Sequence, residues 1–97
     1  MKSEQASNEF YEKLKTQLYD TTSWPSDYLF KFIIKTDQKK IKHIERIFSG
    51  LKSKLNFSLS KNGKYTSVSI NVLMNTPEDI IDKYKQVSKN IEGVISL

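Results

Sequence analysis

The run Ser60-Lys61-Asn62-Gly63-Lys64-Tyr65-Thr66-Ser67-Val68-Ser69-Ile70 limits the folds open to this chain more than any other stretch. Asn62-Gly63 lies between two alternating segments, and both residues tolerate a positive φ, which is the short-range signal of a tight β-hairpin. Before the turn, Leu55–Lys61 alternates Leu55, Phe57 and Leu59 inward with Asn56, Ser58 and Ser60 outward. After it, Tyr65–Met74 sets Thr66, Val68, Ile70, Val72 and Met74 on one face, and Tyr65, Ser67, Ser69, Asn71 and Leu73 on the other. A period of two puts each set on a single side of a strand.

Helical periodicity flanks this hairpin on both sides. Thr36 or Asp37 is placed to cap a helix over about 38–53, with Ile41, Ile44, Ile47, Phe48 and Leu51 as its apolar stripe. Thr76 is a natural N-cap for a second helix, Pro77 suits the first helical position, and Asp79 is spaced to complete a capping box. Ile80, Ile81, Tyr84, Val87 and Ile91 form that helix's buried stripe, and Gly93 is its stop. A strand over Tyr28–Lys35, with Tyr28, Phe30, Phe32 and Ile34 inward, precedes the first of these helices, and a short strand over Val94–Leu97 follows the second.

The element order is therefore βαββαβ, the split pattern of an α+β ferredoxin-like fold. Right-handed crossovers give a four-stranded antiparallel sheet in the order 4-1-3-2, with two helices on one face. An additional helix over about 5–20 carries Phe10, Leu14 and Leu18 four apart, and Pro25 turns the chain out of it at Trp24. Residues 1–23 thus read as a helical extension and 24–97 as the domain proper. The extension has three places to bury its stripe: across the open sheet face against Ile33 and Tyr65, beside the helical layer, or on another subunit.

With 97 residues the chain makes one domain, and a chain of this size buries roughly 60–65% of its unfolded surface without a metal or disulfide staple. It has no cysteine, which excludes a disulfide scaffold, a thiolate zinc site and a thiol nucleophile together. No signal-peptide run or membrane-length apolar span is present, so a cytoplasmic protein without membrane attachment is expected. His43 is the only histidine and lies off the apolar stripe of its helix, facing solvent, so no metal site is expected. The acids are scattered, no phosphate loop occurs, and Ser67 and Ser69 have no histidine near them in this topology. No catalytic residue and no cofactor is expected, and the chain reads as a non-enzyme.

The net charge of +5 is concentrated. Residues 1–36 sum to zero and 65–97 to −1, while 37–64 carry seven Lys and Arg46 against Asp37 and Glu45, a local +6. The topology brings Lys35, Lys39, Lys40, Lys61, Lys64 and Tyr65 to one end of the domain, a candidate contact for an anion or an acidic partner. Lys39 and Lys40 sit near a helix N-terminus, where a cation is disfavoured by about 0.3–1 kcal/mol. A solvated lysine-rich surface is the plainer account, since Arg rather than Lys supplies the bidentate fork for phosphate. Sequence-specific RNA binding on the sheet needs aromatics at alternate outward positions. Here only Tyr65 qualifies, because Ser67 and Ser69 follow it and strand one offers Leu29, Lys31 and Ile33.

From Trp24 to Leu97 the chain resembles the YbeD-like family of small bacterial proteins, a family of unknown function. The likeness rests on Trp24-Pro25 before the first strand and on the S-x-x-G-x-Y-x-S-V-S-[IV] run that Ser60–Ile70 matches. The resemblance implies a βαββαβ fold similar to the ACT regulatory domains of amino-acid biosynthetic enzymes, and no established activity. ACT domains often have glycine between the first strand and helix, where this chain has Lys35-Thr36-Asp37-Gln38. The expected function is a regulatory or adaptor domain working through an unknown protein partner, with anion or nucleic-acid binding at the lysine-rich end as the alternative. The outward sheet face is too polar to demand a second subunit and too mixed to exclude one, which leaves the oligomeric state open.

Overall fold

A computed structural model describes the backbone from Glu4 to Leu97 and the side chains from Asn8 onward; residues 1–3 of the expected extension lie outside the described residues. The order is α1 (Glu4–Thr21), β1 (Ser26–Lys35), α2 (Gln38–Ile47), β2 (Ser53–Leu59), β3 (Tyr65–Met74), α3 (Pro77–Asn90) and β4 (Ile95–Ser96). The sheet runs β2-β3-β1-β4, all pairs antiparallel, which is the ferredoxin-like order expected from the sequence.

The two central strands form the core. On one face Phe30, Phe32 and Ile34 of β1 and Thr66, Val68, Ile70, Val72 and Met74 of β3 are buried beneath Ile44, Phe48, Ile80, Tyr84, Val87 and Ile91 from the helical layer. Each large apolar side chain so enclosed stabilises the fold by about 1.5–3 kcal/mol. Phe30 meets Phe48 and Tyr84 edge to face, 5.0 Å from each, and stacks on Phe32. Thr66, the one buried polar side chain of that face, is satisfied by Thr36, hydroxyl to hydroxyl at 2.9 Å.

The extension joins the helical layer. Tyr19 donates to the Glu78 carboxylate in the first turn of α3, and the Lys85 ammonium lies 5.5 Å from the Tyr11 ring centre. The inward stripe of α1 is Tyr11, Leu14 and Leu18: Leu14 and Leu18 face inward as expected, and Tyr11 takes the place expected of Phe10, which is 63% exposed. Trp24 then closes the helix, donating its indole N–H to the Leu18 carbonyl at 3.1 Å.

Four local expectations are corrected. The helix expected over 38–53 stops at Ile47, because Phe48 caps it and Gly50 takes φ +82, a conformation that ends a helix. The second strand accordingly starts earlier and ends at Leu59, not Lys61. The hairpin is not a two-residue turn: the Ser60 N–H donates to the Tyr65 carbonyl at 2.8 Å, enclosing Lys61–Lys64, and only Gly63 has a positive φ. Asn62 acts through its side chain, whose oxygen accepts from the Lys64 N–H at 3.0 Å and the Ser60 hydroxyl at 3.2 Å. At α3 the Thr76 hydroxyl accepts from the Asp79 N–H at 3.2 Å, but among the described residues the Asp79 carboxylate makes no return bond. Asp79 and Glu78 instead sit in the first turn, where the helix dipole favours negative charge.

Candidate functional site

The sheet's second face is uncovered. The cross-strand pairs Ile33–Ser67, Lys31–Ser69, Leu29–Asn71 and Asp27–Leu73 place these side chains side by side, and β4 adds Ile95 next to Ile33. Leu29 is 49% and Ile95 53% exposed, with Leu73 similarly open and Ile33 half-buried. Lys31, Lys35 and Lys54 stand among them, against Asp27 as the acid. The apolar side chains form two groups, Leu29 near Leu73 and Ile33 beside Ile95, with Lys31 and Ser69 between them.

The lysine-rich end adjoins it. Lys35 and Tyr65 are direct partners across β1 and β3, and the Thr36 N–H donates to the Lys64 carbonyl at 3.0 Å, which locks the β2–β3 turn to the start of α2. The Lys64 ammonium lies 5.7 Å from the centre of the Tyr65 ring, a cation–π contact at the surface. Tyr65 is anchored by its own backbone, donating to the Ser60 hydroxyl at 3.0 Å, and its ring is 39% exposed. Lys61 is exposed in the turn. Lys39 is exposed in the first turn of α2, its N–H donating to the Asp37 carboxylate at 2.9 Å, so Asp37 and not Thr36 is the cap.

Lys40 has a different role. Its ammonium crosses to the end of α3 and donates to the Glu92 carbonyl at 3.0 Å, where a cation complements the helix C-terminus. That contact explains a residue which looked unfavourable at an N-terminus. Among the described residues the only ion pair is Lys15–Glu12, so Lys35, Lys39, Lys61 and Lys64 have no carboxylate within 4.0 Å.

Catalytic chemistry finds little here. His43 is half-buried on the flank of α2 rather than fully in solvent, and among the described residues no group of three His, Asp or Glu is placed to hold a metal ion. Tyr84 is pushed well above the usual tyrosine range by burial and by its 2.8 Å hydroxyl contact with Tyr28, so it stays protonated as a structural hydroxyl. A crevice of about 200 Å3 between α1 and the end of β4 is lined by Phe10, Tyr11, Leu14, Tyr28, Tyr84, Ser96 and Leu97, a largely apolar seam. Among the described residues no helix is long and apolar enough to cross a membrane.

Sequence reasoning missed one surface. Phe57 and Leu59, expected inward, are 43% and 64% exposed although they sit on the helix-covered side, opposite the buried Val68 and Thr66. The signal was present: in the order 4-1-3-2 the second strand is an edge, and Ser49-Gly50 shortens the only helix able to cover it.

These features define a small ferredoxin-like α+β domain with an added helix and an uncovered sheet face. The family model described as "Protein of unknown function (DUF493)" matches residues 20–96, and the chain belongs to that family. The match begins in the last turn of α1 and takes in every strand. No curated protein and no solved structure matches the chain.

Proposed function

We propose that this is a non-enzymatic regulatory or adaptor domain that acts through protein contacts, with residues 24–97 as the working unit and 1–23 as an extension of its helical layer. The observation carrying the reading is the open sheet face, where Leu29, Leu73 and Ile95 remain exposed on a rigid β platform. Apolar side chains grouped in this way mark contact surfaces. Lys31, Lys35 and Lys54 around them fit an acidic partner. The bacterial setting and the regulatory role rest on the YbeD-like and ACT-like resemblance, and a cytoplasmic location is proposed with them. Lys35-Thr36-Asp37-Gln38 at the β1–α2 junction argues against an amino-acid ligand of the ACT kind.

The second reading is anion or nucleic-acid binding at the lysine-rich end, favoured by the ammonium groups of Lys35, Lys39, Lys61 and Lys64 beside Tyr65, which form no ion pair among the described residues. One experiment separates the two. The tagged chain is recovered from its native cell after crosslinking, as wild type, as Leu29→Ser/Ile95→Ser and as Lys39→Ala/Lys61→Ala/Lys64→Ala, each checked for native circular dichroism. A protein lost only with the first variant supports the leading reading. Nucleic acid or polyphosphate lost only with the second, and released by salt, supports the alternative. Recovery of the same material with all three overturns both.

A further inference from the structure

We propose that the half of β1 that β4 leaves unpaired accepts an added β-strand from a partner polypeptide, with one large apolar side chain of that strand seated in the crevice beside α1.

The backbone of β1 prepares this edge. The Thr36 N–H bonds to the Lys64 carbonyl, so the even-numbered residues of β1 turn their polar groups towards β3. The odd-numbered ones face the β4 side, where the Lys31 carbonyl accepts from the Leu97 N–H at 2.9 Å. β1 has ten residues and β4 has two, paired only with Phe32 and Ile33. The N–H and C=O groups of Asp27 and Leu29 therefore face an edge that no strand among the described residues occupies. Such groups are a template for a strand of another chain.

The helical layer reaches past the sheet at the same place. α1 packs on α3 and meets the end of β4 across the crevice of about 200 Å3, where Phe10, Tyr11 and Leu14 share the lining with Ser96 and Leu97. Phe10 is 63% and Leu97 66% exposed, so the roof is built and the floor is missing. Ser96 lies opposite Phe32, so a strand continuing along β1 places its next inward side chain opposite Phe30. The neighbours of that position along and across the strands are Ser96 and Tyr28, and both line the crevice. A cavity of about 150 Å3 accommodates a benzene ring, so a phenylalanine or leucine side chain fits. On the open face the following position lies opposite the exposed Leu29 and calls for an apolar residue. The position opposite Asp27 calls for a base, because Asp27 is exposed and forms no ion pair among the described residues. The occupant is thus an extended segment that reads apolar, apolar, unrestricted, basic. The roof belongs to the extension, since the family match begins at residue 20, beyond Phe10, Tyr11 and Leu14.

The test is an amide-resolved NMR titration of the labelled full chain with acetyl-Phe-Val-Thr-Lys-Ser-amide, whose Phe falls opposite Phe30 and whose Lys falls opposite Asp27. Only Leu29 and Asp27 exchange backbone bonds with it, so a Kd of about 1 mM is expected. Shifts should centre on Asp27, Leu29 and Tyr11, and the Leu29 amide should exchange more slowly. A peptide with Pro in place of Val loses the N–H that reaches the Leu29 carbonyl, and one with Asp in place of Phe loses the apolar anchor. Each is expected to bind about tenfold more weakly or worse. Ser96→Trp fills the crevice from β4 and is expected to abolish binding, whereas Ser96→Ala binds as wild type does. Ser96 is exposed, so both variants are expected to keep native circular dichroism. No shift at Leu29 by about 10 mM peptide, or equal binding by Ser96→Trp, overturns the proposal. So does equal binding of the proline peptide or of phenylalaninamide alone, which would make the crevice a site for a free aromatic molecule. No variant alters the open face, so failure here leaves the reading of that face standing.

Discussion

β1 and β2 have the same alternating pattern and meet different fates. Phe30 and Phe32 in β1 are wholly buried, while Phe57 and Leu59 in β2, on the same side of the same sheet, are largely open. Alternation assigns a face, and only topology and helix length assign a cover. β1 is central and has α3 above it, whereas β2 is an edge beside a ten-residue helix that ends at Ile47. The comparison separates residues that hold the fold from residues available for contact.

The largest expected effect tests that separation directly. Phe30→Ala removes a ring packed against Phe48, Tyr84 and Tyr28 and should lower unfolding stability by about 3–5 kcal/mol. Phe57→Ala should lower it by about 1 kcal/mol or less, because the ring is already 43% exposed. Both are read from urea denaturation at about 1 μM. Equal losses would show that the edge is covered in solution, and the contrast between the strands would collapse.

Much of the architecture was legible before any coordinates. Every strand and helix of the βαββαβ order, the sheet order and the buried faces of β1 and β3 follow from period-two and period-3.6 patterns that long-range packing reinforces. Two kinds of feature were not legible. Asn62-Gly63 signals a turn, but Ser60 and the Asn62 side chain supply bonds that widen it, and composition does not reveal such local competition. The stripe Ile41, Ile44, Ile47, Phe48 and Leu51 runs past the true end of α2, because Phe48, its cap, still enters the core, whereas Leu51 beyond it is exposed. The lysine-rich end divides the same way. Topology placed its residues together, while the reach of Lys40 to Glu92 depends on how α2 and α3 pack.

Gly50 sharpens the comparison at intermediate scale, because it ends α2 and leaves β2 uncovered. Its φ of +82 is a conformation that side chains resist, although no atom lies within 4 Å of an added Cβ. Gly50→Ala should therefore cost about 1–2 kcal/mol through backbone strain alone. Gly50→Asn, which tolerates that region better, should recover part of the loss. Loss of the same size in both would point to a contact rather than a conformation.

The smallest effect concerns the seam between α1 and α3, whose hydroxyl pair differs in exposure from the one that joins β1 to α3. Tyr28–Tyr84 is enclosed, whereas Tyr19–Glu78 lies in solvent. The Tyr19 hydroxyl donates to the Glu78 carboxylate and holds its pKa below the ordinary carboxylate value; that bond in turn raises Tyr19. The folded chain thus binds the Glu78 proton less tightly than the unfolded chain does. The stabilisation is present above the unfolded carboxylate pKa and disappears as pH falls through the lower, folded value. Tyr19→Phe should shift the urea midpoint down at pH 7 by less than Gly50→Ala does. The difference from wild type should close once pH has fallen below the folded value and the carboxylate is protonated in both states. A gap of unchanged size at that pH would place the contribution of Tyr19 in packing rather than in the charged hydrogen bond. The extension would then be held to α3 chiefly by its apolar stripe, in the way α3 itself is held to the sheet.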